Sequence, residues 1–183
     1  LLGFTAAADA EEIVSVYIDI DVQKNCTTFD INVEGGEFAN FACNGYGGYP
    51  VLIYSADLRE SLYYGFPRTD EHVWESFAAF NSTGPKIEWR VSRDGDRTIP
   101  FATIHRWFVS DPEDSAKTTE VLVVAKVGLV KERDGCTVGL VLASGNPKAN
   151  ETARKIADEQ ARDFACGADE RVMVGENLPS FDR

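Results

Sequence analysis

Four cysteines, Cys26, Cys43, Cys136 and Cys166, constrain this chain more than any other feature of it. Their number is even, no two form a C-x-x-C pair, and no histidine stands at metal-ligand spacing from them. A disulfide framework is therefore expected, and neither a metal site nor any other cofactor is indicated. Four cysteines allow three pairings. The two local ones are preferred, because Cys26 and Cys43 bracket a predicted hairpin while Cys136 and Cys166 bracket a strand and helix unit. In the chain-entropy account each such loop contributes roughly 3 to 4 kcal/mol, less any native strain. Disulfides persist in oxidising compartments, so the same residues point to export.

The opening LLGFTAAADA agrees, reading as the tail of an apolar signal segment followed by small residues, Ala6 to Ala8 or Ala8 to Ala10, in an A-x-A arrangement. Residues 1–10 are thus expected to be a residual signal-peptide tail and 11–183 one secreted or periplasmic domain. With 183 residues, 44 % of them apolar, a single domain can bury a sizeable core. No apolar run approaches the about 20 residues of a spanning helix, so membrane insertion is not expected. A formal net charge of −12 argues against nucleic acid and anionic lipid, whose recognition relies on Lys and Arg neutralising phosphate.

Hydrophobic periodicity is mostly that of strands. Val14, Val16, Ile18 and Ile20 alternate with Ser15, Tyr17, Asp19 and Asp21, which predicts a half-buried strand. Two runs at 27–33 and 37–43, separated by Glu34-Gly35-Gly36, predict a hairpin, and 50–54 and 61–64 continue the pattern. Between 71 and 80 the spacing of Val73, Trp74, Phe77 and Phe80 predicts a short helix, with His72 facing solvent. Runs at 87–91, 99–109, 121–130 and 136–143, joined through Asp94-Gly95, a polar loop and Asp134-Gly135, predict an antiparallel meander. A long helix follows, with Asn146 as N-cap, Pro147 at its first position and Gly167 beyond its end. Its inward stripe would be Ala149, Ala153, Ile156, Ala157, Gln160 and Phe164, and a last short strand is expected near 172–174.

Four words, GYGGYP at 45–50, GPKIEWR at 84–90, PFATIHRW at 100–107 and ARDFACG at 161–167, resemble those of small secreted alphaproteobacterial proteins of unknown function. The similarity spans most of the chain. It implies export to the periplasm and carries over no activity, substrate or site residue.

Catalytic constellations are sparse. No G-x-S-x-G pentapeptide occurs, and the chain has two histidines, His72 and His105. His105 sits in a strongly apolar run, where a hydrogen-bonded core histidine is the better reading than a general base. Asp19 and Asp21 could bind a hard cation or work as paired carboxylates, but with 30 acidic residues such pairs arise freely and a solvated strand face is the default. The glycine-rich loop carrying Tyr46 and Tyr49 lacks the Lys and Ser/Thr of a phosphate loop. It reads either as a chain turn with packed tyrosines or as an aromatic contact loop. Arg90, Arg93 and Arg106 flank the Asp94-Gly95 turn, as cross-strand ion pairs or as a local basic patch.

The expectation is an α+β fold: a mainly antiparallel, curved sheet of about seven or eight strands, one long C-terminal helix and one short helix. A β-sandwich with a peripheral helix is the alternative. The expected function is a non-catalytic periplasmic binding or interaction domain for a protein or small-molecule ligand, with Tyr46, Tyr49, Arg90 and Arg106 as candidate ligand-binding residues. A small secreted hydrolase with its site near His105 is the competing reading.

Overall fold

The computed structural model describes residues 11–32, 34–35, 38–68, 72–114 and 116–183, so the expected signal tail at 1–10 lies outside the described residues. The α+β architecture with mostly antiparallel sheets holds. The main sheet joins β1 (Glu12–Asp19), β7 (Asn81–Asp94), β8 (Arg97–Ser110), β9 (Thr118–Lys126), β10 (Cys136–Leu142) and β11 (Val172–Val174) in that order. A second sheet runs β2 (Cys26–Ile31), β3 (Phe38–Asn44), β4 (Pro50–Ala56) and β5 (Arg59–Tyr64), and β6 (Ser76–Phe77) pairs with β12 (Phe181–Asp182). The helices are α1 (Val22–Asn25) and α2 (Ala149–Gln160).

The expected meander is present as β7 to β10, with antiparallel pairing throughout. β11 instead runs parallel to β10, because α2 carries the chain back across one sheet face before β11 joins the edge. Pleat alternation sorts the side chains of the main sheet between two layers. One face of β8 to β10 supplies Ile104, Leu122, Val124 and Val141 to a core beneath Ala149, Ala153, Ile156 and Ala157 of α2. Small residues let the helix approach closely. At Gly139, which lies under α2, an added Cβ would sit 3.0 Å from Ile156 Cγ2.

The opposite face carries Ile87, Trp89 and Val91 of β7 against Cys43, Val51, Ile53 and Tyr64 of the second sheet. Val14, Val16, Ile18 and Ile20 pack into this layer, as their alternation predicts. At its far end Phe77 and Phe181 close over Trp107, Val121 and Leu140.

β1 pairs with β7, so the second sheet lies, along the chain, between two strands that are neighbours in space. The Ile20 amide donates to the Pro85 carbonyl at 2.6 Å, just beyond the last β1 to β7 pair, Asp19 with Lys86. Both disulfides have the expected local pairing, Cys26–Cys43 across β2 and β3 and Cys136–Cys166 from β10 to the segment after α2.

Three local expectations are corrected. The described part of 71–80 is extended chain and β6 rather than helix; Ser61 Oγ accepts the Glu75 amide there, and His72 stacks on Tyr54 at 3.5 Å instead of facing solvent. The short helix is α1, capped by Asp21, whose carboxylate accepts the Gln23 amide. Helix α2 begins two residues later than Pro147, with Lys148 as N-cap, because Asn146 Oδ1 accepts the Lys148 amide and holds 146–148 in a turn. Gln160 is exposed, while Phe164 reaches the core from the turn after the helix.

Candidate functional site

The four candidate ligand-binding residues, Tyr46, Tyr49, Arg90 and Arg106, do not converge on one site. The glycine loop forms a short 3-10 turn, Tyr46–Gly48, and both tyrosines are half-buried against the inter-sheet core. Tyr46 packs 6.4 Å from Trp89 and Tyr49 5.2 Å from Phe66, centroid to centroid. Arg90 is buried under α2, where its guanidinium grips Asp158 through two hydrogen bonds of 2.8 and 2.7 Å. Arg106 pairs with Glu120 on the neighbouring strand and lines a shallow groove beside Tyr17 and Lys86. Asp19 and Asp21 are bound to Lys86 and Lys24 respectively.

His105 lies in the wall between the sheets, 1 % exposed. A carbonyl only accepts, so the bond from Nε2 to Gly84 O fixes the proton on Nε2 and leaves Nδ1 to accept from Tyr64 OH at 2.8 Å. Burial lowers its pKa to about 4 although the Gly84 bond favours the charged form. Both ring nitrogens are thus occupied in the neutral state.

A cleft of about 150 Å³ opens elsewhere, between β5, residues 66–68 and 72–75, the turn before β10 and the Cys136–Cys166 disulfide. Its position depends on a close crossing of backbones. Gly65 bridges Gly128, with the Phe66 amide donating to Gly128 O at 2.8 Å and the Gly128 amide to Tyr64 O at 2.9 Å, which brings the end of β5 against the main sheet. Tyr63 then spans the floor, its hydroxyl near the carbonyls of Phe66 and Arg133. Burial first, then the Asp134 carboxylate, pushes its pKa up to about 12, so it remains a donor at neutral pH.

One wall holds His72, whose Nε2 meets Ser61 Oγ at 3.1 Å. Ser61 is fully buried, which makes this contact a brace between β5 and the extended segment rather than an exposed nucleophile and base. Burial lowers the His72 pKa to about 4, against the pull of Glu75. Glu75, also buried, accepts from the Thr137 amide at 2.7 Å and from Arg171 at 2.9 Å, and Arg183 lies 3.4 Å away. Arg68 and Arg133 complete the rim. His72 and the two cysteines drew notice in the sequence, but their convergence with Tyr63, Arg68, Glu75 and Arg133 did not, because these residues come from distant segments; the Arg133 turn is legible only as Asp134-Gly135.

Among the described residues no group of three or more His, Cys, Asp and Glu is placed to hold a metal ion, and no helix is long and apolar enough to cross a membrane. No protein-family model matches the chain, and neither curated proteins nor solved structures yield a significant match.

Proposed function

We propose that this protein is an exported, disulfide-stabilised binding domain of the bacterial periplasm that acts without catalysis and seats its ligand in the cleft beside Tyr63. One observation carries this reading: the cleft's chemically active side chains are already committed within the fold, His72 to a buried serine and Glu75 to an amide and an arginine. Hydrolysis would need an accessible nucleophile within reach of a base. The second candidate base, His105, is sealed between two sheets. Export is supported by the two disulfides and by the small-residue N-terminal segment.

The test is affinity capture from periplasmic extract, read by mass spectrometry for proteins and small molecules, beside a broad esterase and glycosidase screen. The expected result is a retained ligand that Val73→Trp releases by filling the cleft, with no turnover of any substrate. Turnover that disappears in His72→Asn would replace the binding reading with the hydrolase.

A further inference from the structure

We propose that the cleft takes a small oxyanion, a carboxylate or phosphate group, held by the guanidinium groups of Arg68 and Arg133, a reading that rests on the cleft's being the ligand seat. The chain carries a formal charge of −12, yet the described cleft lining brings three arginines, Arg68, Arg133 and Arg183, against two carboxylates. Both carboxylates are spent inside the wall. Glu75 is saturated by the Thr137 amide, Arg171 and Arg183, and Asp134 is shared between Arg68 at 3.5 Å and Lys126 at 3.3 Å. His72 is uncharged at neutral pH and adds no repulsion to an anion.

Arg133 is the central group. Its described hydrogen bonds go to main-chain carbonyls, Nε to Val130 O at 3.4 Å and Nη1 to Pro67 O at 3.3 Å. A guanidinium has five N–H donors, so the fork is oriented by the backbone with donors to spare. Its own backbone lies in the left-handed region, φ +50, a conformation that costs energy in a non-glycine residue and gathers at binding sites. Arg68, 73 % exposed, lines the same cleft. Two guanidinium groups lining a small recess offer N–H donors that match the planar or tetrahedral oxygens of an oxyanion.

The test follows backbone amide NMR shifts of the full chain, oxidised, while inorganic phosphate and acetate are titrated at constant ionic strength against chloride. Saturable shifts should centre on Tyr63, Arg133 and Gly135, and the two probes distinguish tetrahedral from planar recognition. Arg68→Gln and Arg133→Gln should each weaken binding roughly tenfold, while Arg97→Gln on the far turn changes nothing. Equal binding by wild type and both arginine variants overturns the proposal, as does the absence of saturable shifts with either probe. Asp70 and Glu71 neighbour Arg68 in sequence. Binding by an Asp70→Asn, Glu71→Gln chain but not by wild type also overturns it, by showing that the arginines serve the chain's own carboxylates. A neutral ligand captured by wild type, released by Val73→Trp and indifferent to the arginines would leave the binding domain standing and remove only its anion.

Discussion

Gly65 and Gly128 touch back to back, and their contact is the stitch that fastens the edge of the second sheet to the main one. A Cβ on Gly65 would collide with the Gly128 carbonyl oxygen, and its φ of +93 disfavours any side chain. Gly65→Ala is expected to cost about 3 kcal/mol, from overpacking and backbone strain together. Urea denaturation measures it, and a loss under about 1 kcal/mol would show that the strands part readily at this point.

Two arginines that look alike in the sequence should behave differently. Removing Asp158 leaves the buried Arg90 guanidinium with only Ser15 and the more distant Glu88, so Asp158→Ala should cost about 2 kcal/mol, allowing for the partial exposure of the carboxylate. Arg106→Ala breaks a half-exposed pair with Glu120 and should cost under about 1 kcal/mol. Equal losses in denaturant melts would contradict the burial that separates them.

Stability should fall on mild acidification. His105 has a folded pKa of about 4 against an ordinary 6.5, so between those values the unfolded chain binds the extra proton. Its contribution is complete above pH 6.5 and is lost at up to about 1.4 kcal/mol per pH unit as the pH falls toward 4. His72 acts in the same direction, more weakly because it is partly solvated. Glu60, raised by burial, acts in the opposite direction: its contribution is present at low pH and lost as the pH rises through its folded value. Proton NMR of the native protein should find the His105 ring untitrated down to pH 5, and a midpoint near 6.5 would refute its sealed environment.

Tyr46 and Tyr49 make the last comparison. Half-buried against Trp89 and Phe66, they are expected to lose about 2 kcal/mol of stability when both become alanine, a partial burial's share of an aromatic truncation. A melting temperature unchanged from wild type would return the loop to the role of an exposed aromatic contact.

The alternation of β1, the Asp94-Gly95 hairpin and the cysteine brackets were legible because each is local: a period of two, a turn dipeptide, a short loop. The stretch around 71–80 misled because Trp74 and Phe77 carry an apolar spacing that helix and extended chain can both use, and the deciding bonds, from Ser61 and Glu60, are tertiary. Gln160 misled for the opposite reason, since 160 and 161 both continue the helix stripe geometrically and the small Ala161, not Gln160, takes the buried place. The cleft was illegible because its rim is assembled by the Gly65 and Gly128 crossing, which has no signature along the chain.

The hydrogen bond between Ile20 and Pro85 gives the fold a modular grammar. Everything from α1 to β6 is spliced, along the chain, between two strands that pair directly with each other. Closing such a loop costs entropy that rises only with the logarithm of its length, so the insert can lengthen, shrink or be exchanged at modest thermodynamic cost. The cost falls on time instead. β1 can find β7 only after a long intervening segment has collapsed, which makes this pairing a late, non-local step in folding. A chain permuted to start at β7, with β1 attached after the C-terminus by a linker, would uncouple the two sheets' assembly.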